Sequence, residues 1–437
     1  MAKEENAKCE SVLHIYSDRS VLIDEDGIEY RYDEGQSSEE AKQRLITIRE
    51  FLTKGFLENF IKECRSSEIK INGITEEYIK VIESLVNSVT SEVGRAIVGL
   101  TILQLTVKAI VPTQSIRLHK GSTNIGKDFS WKEGIPMRTL DKNYITPILR
   151  KYNLLKLNAD GVMMTRTLAE NYPYSKLYKA AIRGAKDKWI EITDAVETGK
   201  LDAGNALKQL IVFLNNKSET FIELTKETLA TLNKFLKNKP NFKKCYFIVI
   251  DFIEKSNYKA RMLEVAMHAL FQVLEEEKCF DEYLKPLSQM RSANKKHGNI
   301  GDIELTLTQG DMDIIESWDA KYGKTYLRDE LEELNDKLKL HLQVKIAGFV
   351  TDKNPNLSLE IKERIDELKQ IYETDVRIME FGEWVDFQIK KYGLKPDKIG
   401  EKWLTAIGES ICQHRREIAP IDEPAAEWVE SFKNCLK

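Results

Sequence analysis

The sequence predicts a protein of the mixed α+β or α/β class, in which a mostly helical N-terminal region precedes a C-terminal mixed sheet flanked by helices. Three observations support this prediction. Residues 76–111 and 201–237 have apolar positions at helical spacing. Residues 301–324 read as two short strands. Residues 325–385 then alternate between helical and strand patterns, which indicates helices packed against a sheet.

The bulk composition indicates a globular protein with more than one domain. A chain of 437 residues is long for a single domain, and we expect three regions: 1–75, 76–257 and 258–437. Hydrophobic residues make up 42% of the chain and charged residues 31%, which leaves ample apolar material for a core. The formal net charge is −4, so any surface that binds nucleic acid must be local.

The sequence favours a reducing cytoplasm as the cellular setting. The six cysteines are scattered without a CxxC pair, so they fit neither a zinc site nor a disulfide framework. The N-terminal stretch MAKEENAKCE is polar and lacks the apolar core of a signal peptide. No window approaches ~18 uninterrupted apolar residues, so we expect no membrane span.

The first elements are predicted to be a small hairpin followed by helices. Residues 11–33 alternate apolar and polar side chains around Asp26-Gly27, which is typical of a hairpin. The pattern becomes helical over residues 38–64. Two helices follow within residues 76–111. The second is apolar on most sides and ends at Pro112, so we expect it to be buried.

Two basic segments follow within the region 76–257. Residues 115–151 contain eight Lys or Arg and three acids, a local charge of +5. Residues 166–188 contain six basic and two acidic residues, a local charge of +4, with tyrosines interleaved. Such segments can bind phosphates and base edges, and the binding would depend on salt. The predicted DNA contacts are Arg117, Lys120, Lys127, Lys132, Arg138, Lys142, Arg166, Lys176, Lys179 and Arg183.

The stretch between these segments resembles a winged-helix DNA reader. Residues 145–155 have a helical pattern, and residues 156–166 alternate about Asp160-Gly161 like a hairpin. A helix followed by a hairpin is the order of a winged helix, although many small domains share it. For residues 166–188 an alternative remains open, namely a solvated helix face with tyrosines packed beneath it.

The next stretch supplies one candidate acid. Residues 201–237 have an amphipathic helical pattern. Residues 245–253 are a short apolar run that is either a strand or part of a helix, because periodicity does not distinguish the two. Residues 259–277 predict a helix, and Glu264 lies inside it.

The predicted hairpin at residues 301–324 places two acids and a lysine at strand ends. Asp302 begins the first strand, and Asp319 and Lys321 end the second, where side chains at i and i+2 share a face. Two nearby carboxylates repel unless a cation lies between them, and their oxygens suit Mg²⁺. A lysine on the same face can orient the attacking water and stabilise developing negative charge. This set suffices for metal-assisted phosphodiester hydrolysis, although Asp319 and Lys321 could instead be a surface ion pair.

These residues carry a resemblance to a known family. The pattern Asp302…Asp319-Ala320-Lys321 resembles the PD-(D/E)xK nuclease motif, with Gly301 in the place of the proline. Glu264 matches the glutamate that many members carry on the helix before the first acidic strand. The resemblance covers roughly residues 258–390. The later elements follow the order of the family core, as a helix, a strand, a helix and a strand predicted at residues 326–342, 344–350, 358–372 and 375–385.

A stand-alone protein of this size with a separate basic domain resembles a type II restriction endonuclease. The resemblance implies Mg²⁺-dependent cleavage of double-stranded DNA at a short sequence, often by a homodimer, with a cognate DNA methyltransferase that protects the same site. It implies that Asp302 and Asp319 bind the metal with the carbonyl of Ala320. It also implies that Lys321 positions the water and that Glu264 assists. Residues 258–437 would then be the catalytic domain.

Two alternatives remain open. A nuclease of the same fold could act in repair, recombination or anti-phage defence and recognise the structure or modification of DNA. A protein of another class, a DNA-binding regulator, could keep the fold with a decayed nuclease core. The presence of both acids and the lysine argues against the regulator.

Overall fold

A computed structural model shows helices and two separate β-sheets among the residues that it describes. The chain divides into two units, Met1–Thr220 and Phe221–Lys437, rather than at the boundaries of the three regions expected from the sequence. The described residues are 10–65, 71–89, 94–121, 129–155, 157, 159–164, 166–168, 170–182, 184–287, 299–308, 313–413 and 425–437. Within these residues, no helix is both long enough and apolar enough to cross a membrane.

The N-terminal unit begins with a three-stranded antiparallel sheet. Its strands are β1 (Val12–Ile15), β2 (Arg19–Ile23) and β3 (Glu29–Asp33), in the order β1-β2-β3. The turn between β2 and β3 contains Asp26-Gly27 and confirms the predicted hairpin. Gly27 has a φ of +78°, which glycine adopts without strain.

The α-helices described in this unit follow the sheet and are joined by turns and irregular segments. Helix α4 is buried from Ile97 to Val107, as its apolar sequence predicts. The first two helices share one hydrophobic core with the next two, so residues 1–75 are not a unit of their own. The helices are α1 (Glu39–Thr53), α2 (Phe56–Arg65), α3 (Glu76–Asn87), α4 (Arg95–Ile110), α5 (Met137–Leu140), α6 (Thr146–Lys151), α7 (Lys186–Glu197) and α8 (Ala203–Leu236), the last of which continues past Thr220.

The predicted hairpin about Asp160-Gly161 is wrong, and with it the winged-helix arrangement. The described residues between α6 and α7 contain no strand and instead form short 3₁₀ turns at Val162–Met164 and Arg166–Leu168. The buried Asp141 carboxylate accepts hydrogen bonds from the Thr146 hydroxyl (2.8 Å) and the Met163 N–H (3.0 Å). These bonds tie this backbone to the start of α6, so it does not pair as a strand.

The C-terminal unit is built on a five-stranded mixed sheet. Its first three strands are antiparallel neighbours, and the last three are parallel. A mixed sheet flanked by helices is the coarse architecture that the sequence predicts, and it is confirmed. The strands are β4 (Tyr283–Leu284), β5 (Ile303–Thr306), β6 (Ile314–Lys321), β7 (Ile346–Thr351) and β8 (Asp375–Glu380), in that spatial order.

Helices cover both faces of this sheet. Trp318 and Ile303 point into one core with α9, α10, α13, α14 and α15, and Ala347 and Phe349 point into a second core with α11 and α12. The run 245–253, left open between strand and helix, belongs to α9. The helices are α9 (Phe242–Lys255), α10 (Lys259–Glu276), α11 (Arg328–Leu338), α12 (Leu359–Tyr372), α13 (Phe381–Lys391), α14 (Pro396–Gln413) and α15 (Ala425–Cys435).

The strand predicted over residues 375–385 is correct only to Glu380, where β8 ends and α13 begins. The Glu380 carboxylate accepts hydrogen bonds from the N–H groups of Gly382 (2.8 Å) and Glu383 (3.3 Å). A side-chain acceptor at this position satisfies the free N–H groups of a first helical turn. The cap therefore starts a helix within an apolar run that reads as a continuing strand.

Candidate active site

The pairing of β5 with β6 brings two carboxylates together. Ile303 lies opposite Trp318, and the N–H of Asp302 donates to the carbonyl of Trp318 at 2.9 Å. The next pair outward is therefore Asp302 and Asp319, whose side chains share one face of the sheet. The two carboxyl groups are within hydrogen-bonding reach of each other. The turn predicted at residues 309–311 lies outside the described residues.

Lys321 lies on the same face and binds one of these acids. Its Nζ is 2.8 Å from Oδ2 of Asp319, and the two side chains are only 20% and 10% exposed. Burial acts to lower the pKa of Lys321, but the attraction of Asp319, helped by Asp302 and Glu330, outweighs it and raises the pKa. Lys321 is therefore a charged ammonium group held at the end of β6.

Glu264 joins this cluster from helix α10. Burial raises the pKa of Asp302 well above its ordinary range, and the negative charges of Glu264 and Asp319 raise it further. The N–H of Ala320 donates to Oδ2 of Asp302 at 3.0 Å and partly offsets this shift. Arg261 holds Glu264 through an ion pair of 2.6 Å. The four residues predicted to be catalytic, Glu264, Asp302, Asp319 and Lys321, therefore form one cluster.

The donor set fits a hard divalent cation. Asp302 and Asp319 offer carboxylate oxygens on one side, and their mutual repulsion is what a cation between them would relieve. Among the described residues, no group of three or more His, Cys, Asp or Glu side chains forms a preassembled ion site. Mg²⁺ needs only one or two protein carboxylates, because water and substrate phosphate supply its other ligands.

Gly301 allows the two strands to approach closely beside the acids. A Cβ atom at this position would lie 2.7 Å from the Trp318 carbonyl oxygen and 2.7 Å from Oγ of Ser317. Any side chain there would push the start of β5 away from β6. Glycine at residue 301 is therefore required by packing next to the candidate site.

Two further buried acids, Glu304 and Glu330, are each paired with a lysine. Glu304 is buried, binds Lys285 at 3.0 Å and accepts the N–H of Gly301 at 3.2 Å. Glu330, in the first turn of α11, is 9% exposed and accepts a hydrogen bond from Lys324. The burial of an acid on a highly charged helix such as α11 is not visible in the sequence.

Arg117 must be withdrawn from the predicted DNA contacts. Its side chain is 2% exposed, donates to the Tyr174 carbonyl at 2.7 Å and forms an ion pair with Asp194. A buried guanidinium group with these partners cannot reach a phosphate. It acts instead as a structural cation in the core of the N-terminal unit.

Three other residues that were predicted to contact DNA interact with neighbouring side chains at the surface. Lys142 pairs with Asp160 at 2.7 Å, and Lys176 pairs with Glu25 at 2.5 Å. The Nζ of Lys120 lies 3.3 Å from Asn171 and 5.6 Å from the centre of the Phe129 ring. The positive charge counted along the sequence is thus partly neutralised by acids from other segments.

Lys132, Arg138 and Lys179 remain as exposed cations. Within the described residues none of the three forms an ion pair, although Arg138 contacts the Met164 sulfur. Lys127, Arg183 and the side chain of Arg166 lie outside what the structure describes.

Comparison with known proteins adds no identification. No protein-family model matches the chain, and no curated protein matches it. Any functional conclusion therefore depends on the geometry of the site itself.

Proposed function

We propose that this protein is a Mg²⁺-dependent, sequence-specific endonuclease for double-stranded DNA, of the PD-(D/E)xK type and similar to type II restriction enzymes. The observation that carries the proposal is the convergence of Asp302, Asp319 and Lys321 at the paired ends of β5 and β6. Glu264 adds a third acid from a helix that precedes the sheet.

The order of elements supports the same proposal. Helix α10 precedes the antiparallel strands β4, β5 and β6, and helix α11 then leads to β7, which is parallel to β6. This order matches the family core to which the motif bears a resemblance. Fold alone does not establish chemistry, so the proposal depends on the charged cluster.

Each residue of the cluster has a role in the proposed hydrolysis. Asp302 and Asp319 would hold Mg²⁺ together with the Ala320 carbonyl. When bound, the ion would neutralise the substrate phosphate and make a bound water more acidic. Lys321 is anchored by Asp319 and would orient the attacking water and stabilise charge on the phosphate. Glu264 would add negative charge beside Asp302.

Removal of the cluster tests the catalytic assignment. Asp319→Ala and Lys321→Ala are each expected to abolish cleavage of plasmid DNA in Mg²⁺ while DNA binding persists. Asp336 and Lys339 provide a matched control, because they form an equally short ion pair of 2.8 Å that is largely exposed at the C-terminal end of α11. Their alanine variants should cut at the wild-type rate. Wild-type cleavage by either cluster variant would show that the site is assigned wrongly.

Mapping of the cut ends tests sequence specificity. Discrete bands from unmodified plasmid, with one recurring sequence at the ends, are the expected result. Cleavage only of branched or modified DNA would favour a repair or anti-phage nuclease. Binding without cleavage in either Mg²⁺ or Mn²⁺ would favour a regulator. We also propose a homodimer and a cognate DNA methyltransferase, and sedimentation of the complex and protection of methylated sites test these two points.

The exposed cations of the N-terminal unit are the proposed phosphate contacts. Replacement of Lys132, Arg138 and Lys179 by alanine should weaken DNA binding. It should also make the slope of log K against log salt shallower by about one for each cation that no longer binds a phosphate. Lys42→Ala is the control, because Lys42 is exposed but paired with Glu39 at 2.6 Å. An unchanged salt slope in the triple variant would exclude these residues from the DNA interface.

A further inference from the structure

The backbone just before Asp302 lies outside the strand ladder. β5 begins at Ile303, and the N–H of Asp302 donates to the Trp318 carbonyl at 2.9 Å. Ile300 and Gly301, the two residues before Asp302, form a bend rather than part of the strand. Both are buried, so their N–H groups need partners other than a neighbouring strand.

One carboxylate is the partner of both N–H groups. Oε1 of Glu304 accepts the N–H of Ile300 at 2.5 Å and the N–H of Gly301 at 3.2 Å. Glu304 is only 2% exposed, and it lies on the same face of the sheet as Asp302, because side chains at i and i+2 of a strand share a face. Hydrogen bonds from backbone N–H groups to a carboxylate are charge-assisted and about twice as strong as neutral ones.

Two lysines complete the network around this bend. Oε2 of Glu304 lies 3.0 Å from Nζ of Lys285, which directly follows β4. Nζ of Lys337 on α11 donates to the Ile300 carbonyl at 2.9 Å. The side chains of Lys285 and Lys337 are only 22% and 18% exposed. The bend is therefore bound through two N–H groups and one carbonyl by charged side chains that are largely buried.

The position of the Asp302 carboxylate depends on this bend, because a side chain moves with its own backbone. Oδ2 of Asp302 accepts the Ala320 N–H at 3.0 Å, which places the carboxylate beside Asp319 in the candidate site. Gly301 permits the two strands to approach closely, but glycine also has more backbone freedom than any other residue. The bonds from Glu304 restrict this freedom next to Asp302.

We propose that Glu304 is a positioning residue that fixes the backbone before Asp302 and thereby holds the Asp302 carboxylate beside Asp319 for cation binding. The cation-binding part of this inference rests on the proposed function, whereas the fixed backbone does not. Glu304 would act through Asp302, without contact to the reacting phosphate. Groups that orient metal ligands typically matter by about 10- to 100-fold in metal affinity or activity.

Hydrogen exchange in EDTA tests the fixed backbone without any requirement for activity. Glu304→Gln keeps the shape of the side chain but leaves one oxygen, which cannot accept from the bend and from Lys285 at once. In the shortest peptide that contains Ile300 and Gly301, two amide hydrogens should exchange about 10-fold faster or more. Unchanged exchange would overturn the proposal.

Glu330→Gln is the matched control for this measurement. It changes another buried acid of the same unit that is paired with a lysine, and the hydrogen bonds of Glu330 do not include the bend. The exchange of the Ile300 and Gly301 peptide should therefore equal that of the wild type. Equal acceleration in Glu330→Gln and Glu304→Gln would mean general loosening of the unit and would overturn the proposal.

A substitution at Lys285 separates the backbone bonds from the ion pair. Lys285→Met removes the ion pair but leaves the carboxylate on the two N–H groups, so exchange should stay near the wild-type rate. In the double variant Glu304→Gln with Lys285→Met, the amide oxygen no longer has to accept from the lysine and should restore most of the slow exchange. If Lys285→Met alone exchanges as fast as Glu304→Gln, or if the double variant restores nothing, the proposal is wrong.

Cleavage at varied Mg²⁺ concentration tests the consequence for the candidate site. The Mg²⁺ concentration that gives half-maximal cleavage of plasmid DNA should rise about 10- to 100-fold in Glu304→Gln, while the rate at saturating Mg²⁺ stays near that of the wild type. A merely structural role would lower the rate equally at every Mg²⁺ concentration, and that result would overturn the proposal.

A conservative variant keeps the test decisive if Glu304→Gln folds poorly. Glu304→Asp keeps the charge but shortens the side chain by one methylene, so it should also raise the Mg²⁺ requirement. An unchanged requirement in either variant, once folded, would overturn the proposal. If the wild type cuts no DNA but Glu304→Gln still accelerates exchange at Ile300 and Gly301, the fixed backbone is supported and the nuclease is rejected.

Discussion

Neutralisation of Asp302 should stabilise the metal-free protein at high pH. The folded-state pKa of Asp302 is raised above its unfolded value by burial and by the charges of Glu264 and Asp319. For such a group the stabilising contribution is fully present below the unfolded pKa and is lost as the pH rises through the folded pKa. Asp302→Asn removes the titration and keeps an oxygen that can accept the Ala320 N–H.

Burial of the carboxylate and repulsion from Glu264 and Asp319 both contribute to this effect, and the repulsion gives its order of magnitude. Two unit charges about 4 Å apart interact by about 4 kcal/mol at an effective dielectric constant of about 20. Lys321 offsets part of the Asp319 charge through its 2.8 Å ion pair. We therefore expect Asp302→Asn to raise the free energy of unfolding by about 1–3 kcal/mol at pH 8, and by much less at pH 5.

Thermal unfolding in EDTA between pH 5 and pH 9 measures this difference. A gain of 1 kcal/mol should raise Tm by about 2–4 °C for a unit of this size. Asp336→Asn is the control, because its side chain is 75% exposed and should show no such pH dependence. If the proposed site binds Mg²⁺, added Mg²⁺ should raise the Tm of the wild type more than that of Asp302→Asn, because an ion that binds only the folded protein stabilises it.

Two outcomes would refute the reasoning. A loss of stability in Asp302→Asn that is equal at pH 5 and pH 8 would mean that neither burial nor the charges of Glu264 and Asp319 raise the pKa of Asp302 in the folded protein. An equal response of wild type and Asp302→Asn to Mg²⁺ would mean that Asp302 does not help to hold the ion. The first result would contradict the described cluster, and the second would contradict only its proposed use.

Three further predictions concern the framework around the site and the N-terminal core. Asp194→Ala should lower the free energy of unfolding by about 3–5 kcal/mol in urea titrations, because it leaves Arg117 buried without its ion pair. Gly301→Ala should lower the free energy of unfolding by about 1–3 kcal/mol, because the added methyl forces β5 away from the Trp318 carbonyl. It should also reduce cleavage more than DNA binding. Trp318→Ala should lower the free energy of unfolding, measured by calorimetry, by about 3–5 kcal/mol, because this ring fills a fully buried space. Trp318→Phe should lower it less.

The sequence predicts the C-terminal sheet well because its signals are local. The short strand patterns of β5 and β6 and the long helical periods of α10 to α12 are each set by neighbouring residues. The start of α13 is different, because it depends on one carboxylate turning back to cap the helix at Glu380. The run 245–253 stayed ambiguous for a related reason: its burial on one helix face depends on α10 and α14, which pack against it only in the fold.

The basic segments show what a count of charges along the chain cannot reveal. The sequence predicts that Arg117 is exposed and contacts phosphate. In the structure Asp194, which lies 77 positions later, binds it in the core. Glu25 reaches Lys176 across 151 positions. Acids from distant segments therefore cancel local positive charge, and only the folded surface shows which cations stay exposed.

The register between β5 and β6 determines the geometry of the candidate site more than the motif Asp319-Ala320-Lys321 does. A slip of one residue between β5 and β6 would turn Asp302 to the other face, away from Asp319 and Lys321. Two features resist such a slip. Trp318 and Ile303 are both fully buried on the opposite face, and glycine is the only residue type at position 301 that permits the close approach beside Trp318. The packing that stabilises the sheet thus also fixes the distance between the two acids, so mutations that loosen this packing should impair cleavage even when every charged residue is retained.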